Sequence, residues 1–449
     1  MTDSSSNRLQ NRASRITNRA LSAIERFLHI EALSGIVLLF AAAAALIFAN
    51  SEYASFYEAF WHTQLGFNLG HITVSKDLHF WVNDALMTIF FLVAGMEIRR
   101  EIHEGALANL KQATLPIIAA IGGVCLPAII YLSLNLNGGH IYGWAVPTAT
   151  DIAFALGILA LLGRAIPTNL HVILLSLAII DDIIAVLIIA FFYSSNLDLN
   201  GLPLAASGIV LVLFFQWIGF ASAWLYILPG AIIWCGLLIT GIHPSLAGVI
   251  LGMMTPVLPN RNFVALLTTL SNAIKTLQEK NTKTDLHHIS TTLKKMSKGQ
   301  RDAIAPVTRI QKALHPWVAY GIMPIFAFAN AGVSFANFDL SSNTSFLIVA
   351  GIIVGLFIGK PLGIITASYL AVKSGLCRLP PNTTWAGILL IGSLAGIGFT
   401  MSIFVSMLAF KDIVQLDSAK IGVLCGSGLS AFFGLGYGLI YIKKNKKSV

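Results

Sequence analysis

The chain has 449 residues, 56 % of them hydrophobic and only 11 % charged, with a mean hydropathy of +0.77. A soluble domain carries about a quarter charged residues, so an ordinary soluble enzyme or binding module is excluded. The net charge of +9 raises nucleic acid as a partner, but the placement of the basic residues gives it another meaning.

Residues 1–30 form a polar tail. In NRLQNRASRITNRALSAIERFL, Leu21, Ile24 and Leu28 share one helical stripe with arginines elsewhere, which fits an interfacial helix or plain disorder. The apolar run after it is too long for a signal-peptide core and reads as a span. Twelve apolar segments follow in order: 31–50, 79–98, 113–134, 143–163, 170–193, 203–219, 221–239, 243–258, 314–334, 345–372, 384–410 and 419–442. Runs of roughly 20 apolar residues cross a hydrocarbon core of roughly 30 Å as helices. They do not alternate as barrel strands would. The reading is an all-α polytopic membrane protein with a transporter domain over 31–442 and a basic tail at 443–449.

The positive charges orient the spans. The N-terminal tail has five Lys or Arg, 99–112 has three, the fourth gap has Arg164, 259–313 has ten, the tenth gap has Lys373 and Arg378, and KKNKK has four. That is 25 of 29 on one side, against Lys76, Lys411 and Lys420 on the other. The positive-inside rule places both termini in the cytoplasm. The charge is therefore topology, and no nucleic-acid partner is needed. The four cysteines, Cys125, Cys235, Cys377 and Cys425, form no CxxC pair and read as small apolar residues.

Two polar stretches stand out. LGFNLGHITV, around residues 64–75, alternates apolar and polar residues about Gly70 and predicts a small outside hairpin. In 259–313, Phe263, Leu267, Leu270, Ile274 and Leu277 recur at helical spacing, as do Leu286, Ile289, Leu293 and Met296. They predict two amphipathic cytoplasmic helices, with His287 and His288 solvated.

Ionisable residues inside spans are costly and mark function by default. Asp181 and Asp182 lie mid-span in AIIDDIIAV. Adjacent helical positions point about 100° apart, so both can border one cavity. Two carboxylates in low dielectric cannot both ionise without a partner, and they titrate as a pair. Such a site can hold protons or a small hard cation, which favours oxygen ligands. Competition between the two, with access alternating across the membrane, gives antiport. A buried salt bridge that only fixes packing is the competing reading, but one lysine cannot neutralise both acids. That lysine is Lys360 in GIIVGLFIGKPLG, too far from either span end to snorkel. Its expected partner is Asp181 or Asp151. Gly351, Gly355 and Gly359 beside it give a small-residue packing face.

Asp151 sits in WAVPTATDIAFALG, where Pro147, Thr148, Thr150 and Asp151 predict a broken helix. GSLAGIGFTMS in the eleventh segment is similarly irregular. Interrupted helices in the fourth and eleventh spans suggest an inverted repeat of spans 3–5 and 10–12. Asp151 would compensate positive helix ends and Lys360 negative ones. Asp84, near the outside end of its span, fits structural pairing or function equally. Glu97 in GMEIRRE is either part of a charged cytoplasmic mouth or an interface salt bridge. His243 in GIHPSLAG can titrate near neutrality, or it is structural. FGLGYGLIY contains a GYG, but inside a long helix and not in a re-entrant filter loop.

NDALMTIFFLVAGMEIRRE, VPTATDIAFALGILALLG, LAIIDDIIAVLIIAFFY, GIHPSLAGVI, LHPWVAYGIMPIFAFANAGV, GKPLG and LAGIGFTMSIF run in order from residue 83 to 404. Together they resemble the NhaA-type sodium/proton antiporters of bacterial inner membranes, which are themselves a known example of inverted-repeat transporters. The resemblance implies twelve helices with crossing interrupted segments, electrogenic exchange of sodium or lithium for protons, and activation at alkaline pH. It implies Asp181 and Asp182 as the ion and proton site with Thr150 nearby, Asp151 and Lys360 as dipole partners, and Lys360 paired with Asp181. It further implies a pH-responsive region with Glu97 and Arg100, and a homodimer through the outside hairpin, with no cofactor beyond the transported ions. Two features depart from the family: Gln311 and Lys312 precede HPW where an acid and a histidine are often found, and the 259–313 loop is long. A sodium-coupled symporter would need polar or aromatic solute-binding groups near the acids, where Ala, Ile and Leu prevail. A membrane scaffold would leave the buried acids unexplained.

Overall fold

The computed structural model describes residues 33–257 and 305–446, apart from 70–71, 137–139, 195–197, 220–222, 335–342 and 382, together with Ser271. The expected tail helix and the amphipathic loop helices, with His287 and His288, lie outside the described residues. The chain divides into two compact units. One comprises Met1–Met87, Asn109–Tyr193 and Pro316–Val449, and the other Thr88–Ala108 and Ser194–His315.

In chain order, α1 (Leu33–Ala49) turns by 116° into α2 (Ala54–Trp61). Next, β1 (Gln64–Leu69) and β2 (Ile72–Asp77) pair antiparallel, in a register running from Gln64↔Asp77 to Leu69↔Ile72. The sheet runs straight into α3 (Leu78–Glu104), because the Asp77 carboxylate accepts the Phe80 N–H at 2.8 Å and caps its first turn. Within α3, Trp81–Leu86 forms a π turn. There follow α4 (Lys111–Asn135), the 3-10 helix α5 (Ile141–Thr148), α6 (Ile152–Leu161), α7 (Thr168–Phe192), α8 (Leu199–Ile218) and α9 (Ala223–Thr240). α10 (Leu246–Met254) is short, and α11 (residues 306–330) is helical throughout, with a π turn at Val318–Ile322. α12 (Thr344–Lys373), α13 (Trp385–Ala395), α14 (Phe399–Ala409) and α15 (Ile413–Lys446) complete the described chain. α15 continues to Lys446, so the expected tail at 443–449 begins as helix.

Among the described residues eight spans, with α5 and α6 counted together as Ile141–Leu161, are long and apolar enough to cross a membrane, and two bent pairs, α1 with α2 and α13 with α14, meet the same test when joined. The segments expected at 243–258 and 314–334 are helical but do not meet it. Gly241 at φ +82 ends α9, and Pro244 keeps the chain from re-entering a helix until Leu246. In α11 the apolar half is preceded by the polar RIQKALH. Large apolar side chains remain on the surface, with Trp217 at 83 % and Trp224 at 81 % exposure. A water-facing surface rarely carries so much apolar area, whereas hydrocarbon accepts it.

Within the first unit, α12 packs on α4. A Cβ on Gly351 would come 2.8 Å from Asn135 Nδ2, and one on Gly359 would come 3.1 Å from Pro127 Cα. The glycine stripe thus lets the two backbones approach closely, and this brings Lys360 under α5. Within the second unit, a Cβ on Gly95 would lie 2.7 Å from Val249 O, so its part of α3 meets the backbone of α10.

Candidate ion-binding site

Helical geometry lapses where a proline and two threonines interrupt the apolar run. Pro147 has no N–H to give. α5 stops at Thr148, Ala149 and Asp151 are extended (ψ 153° and 102°), and α6 starts at Ile152. In the first unit the turn between α13 and α14 bends by 48°. The two irregular stretches bond to each other. Asp151 N–H donates to Ile397 O at 2.7 Å, the Thr150 hydroxyl lies 3.0 Å from Ala395 O, and the Ser402 hydroxyl donates to Val146 O at 2.7 Å. Backbone groups freed by the lapse in each stretch thus find partners in the other, as burial requires.

Three charged side chains converge there. The Asp151 carboxylate serves two helix starts. Oδ1 accepts Phe154 N–H at 3.1 Å at the head of α6. Oδ2 accepts Thr400 N–H at 3.2 Å at the head of α14, and the Thr400 hydroxyl as well. An acid at helix N-termini is favoured by both the free N–H groups and the dipole. Lys360 follows the π turn Gly355–Gly359 and is fully buried. Its Nζ donates to Thr148 O at 2.5 Å, the negative end of α5. The same Nζ lies 3.0 Å from Asp181 Oδ2.

Asp181 lies midway along α7 and is 2 % exposed. Its two oxygens differ. Oδ2 receives Lys360 and the Thr150 hydroxyl at 2.7 Å. Oδ1 is buried with no hydrogen-bond partner. Asp182 is 5 % exposed and within electrostatic reach of Lys360. The Phe154 and Thr400 donors to the Asp151 carboxylate are neutral, while Lys360 faces both Asp181 and Asp182. With all three ionised, that set carries one net negative charge. This suits a monovalent cation or a proton.

Residues 25–437 match the sequence family described as Na+/H+ antiporter 1. The chain belongs to that family. It is 84 % identical over 448 residues to the Na(+)/H(+) antiporter NhaA of Bartonella henselae, covering 100 % of this chain and 99 % of that protein. To the Na(+)/H(+) antiporter NhaA of a Janthinobacterium species it is 57 % identical, covering 98 % and 97 %. To the Na(+)/H(+) antiporter NhaA 2 of Pseudomonas putida it is 55 % identical, covering 95 % of each chain. Family membership and the apolar helices make it a multi-pass membrane protein and a transporter rather than a catalytic enzyme.

In this member of the antiporter family, the other sequence candidates lie in different surroundings. Asp84 is half-buried in the π turn of α3, within electrostatic reach of Lys76 and Asp77. Glu97, Arg100 and His243 belong to the second unit. Arg100 Nη2 is 3.6 Å from Glu97 Oε1, and Nη1 donates to Gln311 Oε1 at 2.9 Å. Gln311, the residue that departs from the family pattern before HPW, is thus the buried acceptor for Arg100. His243 Nδ1 is 2.7 Å from the Ser245 hydroxyl. Thr400 and the carbonyls of Thr148 and Ala395 were not foreseen. Their signal in the sequence is only a threonine at a helix start and two irregular stretches.

Proposed function

We propose that the chain is an electrogenic antiporter of the bacterial inner membrane, exporting sodium or lithium in exchange for protons by alternating access at Asp181 and Asp182. The observation that carries this is the asymmetry of Asp181: Oδ2 is held by Lys360 and Thr150, while Oδ1 is left without a donor. An unsatisfied buried carboxylate oxygen is costly unless something binds it. A sodium ion on that oxygen and on Asp182 would offset the remaining negative charge. Protons on the same carboxylates would displace it, so cation and protons exclude each other. Two acids allow two protons per cation, which moves net charge. Lys360 stays bonded to Thr148 O and holds Asp181 against α5 whichever particle is bound.

In this reading the chain has twelve spans with cytoplasmic termini, α5–α6 and α13–α14 are interrupted helices of an inverted repeat, and Thr150 orients Asp181. Glu97, Arg100 and His243 serve the pH response, and β1 and β2 pair two protomers. Everted membrane vesicles test the core of it. Sodium or lithium added to the bath should dissipate a preformed pH gradient, and Asp182→Asn should abolish the response. A wild-type protein inert to both cations across the neutral and alkaline range would refute the reading.

A further inference from the structure

Away from the carboxylate pair, the first unit holds a second buried polar row, His79, Asn83 and Asn330. Asn330, the last residue of the α11 helix, is fully buried, and Asn83 is 6 % exposed. Asn330 Nδ2 donates to Asn83 Oδ1 at 2.7 Å and to Phe326 O at 2.9 Å. These two acceptors fix the amide, since a reversed amide would set its oxygen against two others. Asn330 Oδ1 therefore points the other way, and it has no hydrogen-bond partner. Asn83 Nδ2 in turn is 3.0 Å from His79 Nδ1. The His79 ring also lies beside the Asn330 amide.

A buried amide oxygen without a donor suits a hard cation, and three further features favour positive charge there. The helix ends at Asn330, presenting its negative dipole end. Asp84 follows Asn83 directly. The acids Asp77, Asp84 and Asp417 outnumber the lysines Lys76 and Lys420 around the row, where His62 is the other histidine facing His79. Both Asn83 and the Asn330 helix carry π turns, at Trp81–Leu86 and Val318–Ile322, a distortion that often accompanies functional positions.

We infer that Asn330 Oδ1, oriented by Asn83 and bordered by His79, is a second station for the transported monovalent cation, separate from Asp181 and Asp182. The identity of the ion rests on the antiport reading; the station itself rests on the geometry.

The test uses purified full-length protein carrying Asp181→Asn and Asp182→Asn, which empties the main site and has no exchange to lose. Thermal unfolding is followed in sodium chloride against choline chloride. Sodium should still raise the midpoint. Adding Asn330→Leu should remove that rise, and Asn330→Asp, which keeps an oxygen, should retain it. No sodium-dependent rise in the double variant, or a rise that survives Asn330→Leu, overturns the station. None of these outcomes depends on whether wild-type vesicles exchange ions, so the two readings fail separately.

Discussion

The charges around Asp181 and those around Arg100 show two ways of keeping ions in an apolar protein. Asp151, Asp181 and Lys360 are buried and bond to helix ends, to threonines and, for Asp181 and Lys360, to each other. Glu97 and Arg100 are partly exposed and one helical turn apart, their nearest charged atoms 3.6 Å from each other. A buried ion stripped of its partner keeps its full desolvation cost, whereas an exposed one is rescued by water. Removing a charge should therefore be severe in the first cluster and mild in the second.

The sharpest way to break this contrast is Lys360→Met. Leaving Asp181 buried and unpaired should cost about 3–5 kcal/mol, read as a fall in the unfolding midpoint in detergent, and should abolish cation-dependent exchange. Adding Asp181→Asn should recover more than half of the lost stability, because removing both partners is cheaper than orphaning one. A double variant no more stable than Lys360→Met would mean that the ion pair is not what holds this region. Next comes Asp151→Ala, which uncaps α6 and α14 together. At about 1 kcal/mol per cap the loss should be about 2 kcal/mol. Asp151→Asn keeps an acceptor oxygen and should lose less than half of that in the same unfolding assay. Thr150→Val should cost about 1.4 kcal/mol of cation binding, a tenfold rise in the apparent KM for sodium. Vesicle titrations with sodium measure it. At the small end, Arg100→Met should change stability by less than about 1 kcal/mol. An effect as large as that of Lys360→Met would erase the contrast between the two regions.

The acids and Lys360 were legible in the sequence because a charge in an apolar run is conspicuous whatever surrounds it. Pro147 and the threonines likewise announced the lapse before Ile152. Which acid takes Lys360 was not legible from the residues alone, where Asp181 and Asp151 stood equal. The answer depends on the glycine stripe seating α12 on α4, and on Thr400 and Phe154 claiming the Asp151 oxygens. Thr400 itself gives little signal, since a threonine in a membrane helix is inexpensive and common. Asn330 was hidden for a related reason: FAFANAGV shows a helix end, but an amide oxygen left without a donor exists only once Asn83 and Phe326 O have taken the other side of the group. The segment at 243–258 is shortened by a backbone break at Gly241 and Pro244, which a window of apolar residues does not register.

Thr150 offers one hydroxyl proton to two acceptors, Asp181 Oδ2 at 2.7 Å and Ala395 O at 3.0 Å. It can satisfy one at a time, by a rotation about a single bond. Any particle that takes over Oδ2 therefore hands that proton to the carbonyl at the end of α13. A change of partner at Oδ2 would thus be written as the torsion of one side chain, and would reach the other irregular stretch without any backbone atom having to move first.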